Sequence, residues 1–113
     1  MKPMEVEILV AEVGKSPAHD QLFHILYDGT VMDEENFTVL GGEAETIASR
    51  LEERWSDTLD LRGALAAAVG ALSGPDRSLA ASDLEVAVLE RTAERRAFRR
   101  IERNVLPEFL PKA

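Results

Sequence analysis

The chain has 113 residues, room for one ordinary domain and too few for two. Hydrophobic residues at 45% and charged residues at 30% exclude a disordered polar chain, and the absence of cysteine excludes disulfides and thiolate metal sites. A net charge of −8 weighs against a general nucleic-acid binder, whose footprint would be a basic surface.

From the N-terminus, Glu5 to Val13 alternates, with Val6, Ile8 and Val10 on one face. The other face (Glu5, Glu7, Leu9, Ala11, Val13) is polar at its start and apolar later. The expectation is a strand half covered at one end and fully covered at the other. Gly14-Lys15-Ser16-Pro17 is a turn. Gln21 to Tyr27 is the second strand, and Asp28-Gly29 signals a two-residue hairpin into Thr30–Met32. Asp33-Glu34-Glu35-Asn36 forms an acidic link to Phe37-Thr38-Val39-Leu40, which is rich in β-formers and predicts a fourth strand.

Gly41-Gly42 then breaks the chain, and Ala44, Ile47, Ala48, Leu51 and Trp55 follow at the i, i+3, i+4 spacing of a helix face. A strand, two glycines and a helix also describe a phosphate-binding loop. Here the first helical turn carries Glu43 and Glu45, with no Lys, Ser or Thr placed as a ligand, and carboxylates there repel phosphate. The glycines read as architectural. Asp60 is the expected N-cap of a second helix whose face holds Leu61, Ala64, Leu65, Ala68, Val69 and Leu72. Its other positions include Ala66, Ala67, Gly70 and Ala71, so neighbours can approach closely on more than one side.

Ser73-Gly74-Pro75 ends that helix in the usual order of Gly and then Pro. After a loop, Ser82–Glu90 alternates with Leu84, Val86 and Val88 facing one way. Ala97–Ile101 is its expected hairpin partner across Arg91–Arg95. Glu102–Leu110 reads as a short last helix, with Pro107 limiting its regularity. The order β-β-β-β-α-α-β-β-α predicts an α+β fold with antiparallel sheets.

No chemistry stands out. The hydroxyls fall in turns, caps and helix faces without a Gly-x-Ser-x-Gly elbow. His19 lies in a loop and His24 mid-strand, without the helical i, i+4 spacing or partner acids of a zinc site, so both read as structural or surface residues. Asp33-Glu34-Glu35 lacks the spaced ligands of a calcium loop. Arg91, Arg95, Arg96, Arg99, Arg100 and Arg103 concentrate basic charge near the C-terminus. Two readings stand: a solvated hairpin with its flank, or a basic edge that docks an acidic neighbour in an oligomer. Phe98 within that cluster fits a strand's inward face. No apolar run reaches the ~18 residues of a membrane span, and Met1–Glu5 lacks a signal-peptide core, which leaves a cytoplasmic protein as the expectation.

Several stretches, taken in order, resemble the C-terminal half of a proteasome α-type subunit of the actinobacterial kind. They are Lys2–Val13, Tyr27–Thr30, Phe37–Gly42, Asp60–Leu72, Leu84–Leu89 and Arg95–Ile101. No single piece is specific; their order and spacing are. The resemblance implies an αββα sandwich of the N-terminal-nucleophile hydrolase type, of which residues 1–113 form a single domain, the C-terminal half. The first three strands would lie in one sheet, the last two in the other, and the helix pair would cover an outer face.

The resemblance further implies a non-catalytic structural subunit of the 20S core, one member of a seven-membered α ring that controls substrate entry. Its partners would be other α subunits, the β subunits and, through the full-length subunit, an activator ATPase ring. The resemblance carries over no catalytic, cofactor or metal residue, since α-type subunits lack the N-terminal threonine nucleophile of β-type ones, and no gate or activator-pocket residue, since those belong to the family's first half. Nucleic acid and membrane are not expected partners. Two alternatives stay open: a threonine peptidase subunit whose nucleophile lies in the missing half, or a stand-alone interaction module. On its own the chain would have unpaired strand edges and an uncovered apolar face, so self-association by sheet extension or element exchange is expected.

Overall fold

The computed structural model describes residues 6–91 and 98–110. It is α+β. Strands β1 (Ile8–Glu12), β2 (Gln21–Ile25) and β3 (Val31–Glu34) form one antiparallel sheet in the order β1-β2-β3. Helices α1 (Ala44–Arg54) and α2 (Leu61–Ser73) follow and pack on each other. A second antiparallel sheet pairs β4 (Val86–Leu89) with β5 (Phe98–Ile101). Single 3-10 turns occupy Pro17–His19, Ala81–Asp83 and Leu106–Glu108.

Register fixes the faces of the first sheet. Ile8 lies opposite Ile25, Val10 opposite Phe23, and Ile25 opposite Val31, which puts these apolar residues on one side. Leu9, His24 and Met32 line up on the other. The β2–β3 turn has three residues and not the expected two. Leu26 pairs with Thr30, the Gly29 N–H donates to the Leu26 carbonyl at 2.9 Å, and Gly29 takes φ 91°. That is a tight turn closed by a left-handed glycine, a common alternative to the two-residue loop. The Asp28 carboxylate accepts the Thr30 N–H at 2.9 Å, and that bond lowers its pKa.

Four expectations need correction. The segment Phe37–Leu40 forms no strand. The chain turns at Asn36, which has φ 67°, and the Phe37 N–H bonds back to the Glu35 carbonyl at 2.7 Å. β-forming side chains without a partner strand do not make a sheet, and all four residues of the segment end half-buried beside the helices. Second, β1 is exposed along its whole length, because it is an edge strand and no layer of the described residues covers the Ile8 and Val10 side.

Third, the expected strand from Ser82 begins only at Val86. The Asp83 carboxylate accepts the Ala80 N–H at 2.9 Å and starts a 3-10 turn there. Fourth, the tail is a single 3-10 turn, not a helix. Pro107 has no N–H to donate, so the helical ladder cannot continue through it. The link Thr92–Arg95 and the first residue of the expected partner strand, Ala97, lie outside the described residues, as does Glu5.

The helices follow their sequence signals closely. The Asp60 carboxylate accepts the Gly63 N–H at 2.7 Å, capping α2. At the other end Gly74 has φ 64° and its N–H bonds the Gly70 carbonyl at 3.0 Å. Two arginines satisfy the next orphan carbonyls: Arg50 donates to Ala71 and Arg77 to Leu72, each at 3.0 Å. Both cations sit where the helix dipole favours positive charge.

Leu65 and Val69 join Leu84, Ile101 and Leu106 in the main core, so α2 seats the second sheet and the tail. About 200° round the helix, Ala67 and Ala71 are also buried. On that flank the Arg54 guanidinium lies so near Gly70 that a Cβ would collide with it. The small residues of α2 thus permit close approach on two sides. One residue of the expected face, Ala64, is exposed.

Candidate functional site

His24 is the most enclosed titratable side chain of the first sheet. Its Nε2 lies 2.8 Å from Glu7 Oε2, and its Nδ1 lies 3.8 Å from Glu34 Oε1. The antiparallel register explains this: Leu9 and Met32 oppose His24, so Glu7 and Glu34 are its diagonal neighbours on the same face. The partner acids were not legible in the sequence, because Glu7 comes from the residue before β1 and Glu34 from β3. His24 also borders an open cleft that continues over Glu34, Glu45, Glu52 and Trp55. Among the described residues, no group of three or more His, Asp or Glu side chains is placed to hold a metal ion.

His19 does have a hydroxyl partner. Ser16 Oγ lies 2.8 Å from His19 Nδ1, across the 3-10 turn that Pro17 starts. The spacing Ser-Pro-Ala-His was the available signal. The pair is exposed, and the neighbouring carboxylate, Asp20, is engaged elsewhere, so the arrangement lacks the oriented base that activates a nucleophile.

Asp20 belongs to a clamp between the two sheets. Arg91, just beyond β4, grips it in bidentate fashion, with Nη1–Oδ1 at 2.8 Å and Nη2–Oδ2 at 2.7 Å. Arg91 Nη1 also donates to the Gly14 carbonyl at 2.6 Å, while the Gly14 N–H donates to Asp20 Oδ1 at 2.9 Å. A Cβ on Gly14 would stand 2.5 Å from the His19 backbone, so this loop closes only around a glycine. The Arg91 hydrogen bonds, with the Gly14 N–H, hold the Asp20 carboxyl at a pKa of about 2.

Other members of the arginine cluster are likewise occupied within the chain. Arg99 Nε meets Glu90 Oε1 at 2.5 Å, and Arg103 Nη2 lies 3.5 Å from Glu85 Oε1. Arg95 and Arg96 lie outside the described residues. Phe98 departs from expectation: it is 56% exposed, on the face of the second sheet opposite the core. Ile101, three positions on, takes the buried place. Between the first sheet, the helices and Leu89 runs a second groove of about 860 Å³, floored by Ala11, Leu22, Phe37, Leu51 and Trp55.

The architecture comprises two antiparallel sheets and a helix pair. The family model described as "Proteasome subunit" matches residues 1–89, and the chain belongs to that family. Its relatives include proteins named "Proteasome subunit alpha". The one from Acidimicrobium ferrooxidans is 52% identical over 110 residues, covering 97% of this chain and 47% of the relative. Those from Kineococcus radiotolerans and Thermobifida fusca are each 48% identical, covering 96% and 99% of this chain and 50% and 46% of the relatives. The chain therefore spans about half the length of the curated relatives it matches. No helix among the described residues is long and apolar enough to cross a membrane.

Proposed function

We propose that this chain is the C-terminal half of an α-type proteasome subunit and serves as a non-catalytic, structural part of the 20S core. The observation that carries the reading is the 46–52% identity to proteins named proteasome subunit alpha, sustained over nearly the whole chain. Two antiparallel sheets linked through a helix pair are compatible with one half of an αββα sandwich. In this reading the subunit works in the cytoplasm, in a seven-membered ring stacked on a β ring. An activator ATPase ring would engage the full-length subunit. The chain contributes scaffold: the core around Leu65, Val69 and Leu106 fixes the second sheet, and the Asp20–Arg91 clamp fixes the two sheets against each other.

The coding sequence upstream of Met1 is the first test. An α-type N-terminal half in frame is the expected result. A propeptide ending just before a threonine would turn the reading to a peptidase subunit, and unrelated sequence would favour a separate interaction module. Co-expression of the complete product with a β-type subunit then reads assembly directly. Stacked rings in electron micrographs are expected; complete products that never co-purify would refute the proposal.

A further inference from the structure

We propose that the Asp28–Gly29 step is a modification site, which closes to a succinimide and reopens as isoaspartate when the β2–β3 hairpin opens. The closed hairpin keeps it unreacted. Every contact involved lies within Leu26–Thr30, so the inference rests on one turn and is independent of the proteasome reading. Of the chain's aspartates, only Asp28 is followed by glycine. The turn demands that glycine, because φ at Gly29 is 91°, a region that disfavours residues with a Cβ. The same missing side chain leaves the Gly29 nitrogen unshielded, and a Cβ there would have nothing within 4 Å. The residue that closes the hairpin thus also sets an open nucleophile next to the Asp28 carboxyl.

In the first step the Gly29 nitrogen bonds to Asp28 Cγ, and its proton leaves with the carboxyl hydroxyl as water. Water then adds to one of the two ring carbonyls. Addition at Cγ restores aspartate. Addition at the Asp28 main-chain carbonyl breaks its bond to the Gly29 nitrogen, so the chain runs through Cβ and Cγ and an α-carboxylate is left free. One water leaves and one returns, so the mass is unchanged and no co-reactant is needed. The closed turn opposes the first step in three ways. The Gly29 N–H is engaged by the Leu26 carbonyl at 2.9 Å. Asp28 Oδ1 is held by the Thr30 N–H at 2.9 Å. That bond also lowers the Asp28 pKa, and an ionised carboxylate has no hydroxyl to release. Opening the turn removes all three. The product then resists closure, because an added main-chain carbon before Gly29 displaces the Thr30 carbonyl from the Leu26 N–H, now 2.8 Å away.

The test incubates the chain in mildly acidic buffer, folded and in guanidinium chloride. Digestion follows, with a protease that cuts before aspartate but not before isoaspartate. The fraction left uncut at Asp28, read by mass spectrometry, should grow ~10-fold or more faster in the denatured chain, because only the open turn reacts. There Asp28 should also outpace Asp57 and Asp60, whose following Thr58 and Leu61 side chains shield the attacking nitrogen. Gly29→Ala should slow the denatured reaction several-fold, a comparison made where φ imposes no strain. After refolding, the isomerised chain should exchange its Leu26 and Gly29 amide protons faster than the unmodified chain. Equal rates in the folded and denatured chain would overturn the proposal. So would an Asp28 that reacts no faster than Asp57, a Gly29→Ala chain that reacts as fast as the native one, or unchanged amide exchange in the isomerised chain.

Discussion

Asp20 and Arg91 lie 71 positions apart in the chain and face each other as a bidentate ion pair with contacts of 2.7 and 2.8 Å. The pair gives a pH signature. Arg91 and the Gly14 N–H favour the charged carboxylate and lower the Asp20 pKa from 3.8 to about 2. A depressed carboxylate contributes stability above its unfolded pKa and loses it as pH falls through the folded value. The stability gap between the native chain and Asp20→Asn should hold steady above pH 4 and close between about 4 and about 2. Because the two side chains are 35% and 40% exposed, the gap should be small. Urea unfolding across that range measures it; a gap that stays open at pH 2 would contradict the assignment.

The tail docks through one residue. Leu106 is fully buried against Leu65 and Val69, whereas Val105 beside it is 37% exposed. Leu106→Ala should cost about 2–5 kcal/mol, the range for emptying a packed leucine site. Val105→Ala should cost under ~1 kcal/mol. Equal losses in chemical denaturation would show that the tail does not belong to the core.

The two glycines before α1 are not equivalent. Gly41 has φ 119°, a conformation that disfavours any side chain, while a Cβ at Gly42 meets nothing within 4 Å and its backbone is ordinary. Gly41→Ala should destabilise by at least ~1 kcal/mol, and Gly42→Ala should stay within ~0.5 kcal/mol of neutral. Thermal melts of the two variants give the comparison, and the reverse ranking would rule out this account of the turn.

At α2, Asp60→Ala should cost about 1 kcal/mol by leaving a first-turn N–H without its acceptor. Asp60→Asn should recover most of that loss, since its side-chain oxygen accepts the same bond. No recovery in the asparagine variant would point to charge rather than capping.

Local signals were the legible ones. Asp60, Gly74 and the spacing of Ile47, Leu51 and Trp55 act within a turn or two of themselves, and the helices came out at nearly the predicted bounds. Leu84, Val86 and Val88 likewise alternate inward as read. What failed depended on distant partners. Phe37–Leu40 has the side chains of a strand, but strand status is conferred by a neighbour, and here none is paired with it. Phe98 looked inward by type, yet Ile101 sits opposite Val86 and takes the core position. Arg91 was legible as a basic residue and not as the partner of Asp20, because nothing local links positions 71 apart.

That separation also sets an order of events in folding. The β1–β2–β3 sheet and the α1–α2 pair each join elements adjacent in sequence, so they close short loops and form early. The Asp20–Arg91 contact closes a long loop and depends on both ends being shaped already. It belongs on the late side of the barrier. Weakening it with Arg91→Lys should speed unfolding in stopped-flow experiments and leave the refolding rate almost unchanged. A refolding rate that falls with the stability would place the clamp in the nucleus instead. On the first outcome, the clamp acts as a latch that keeps the assembled sheets closed once the hairpins have found each other.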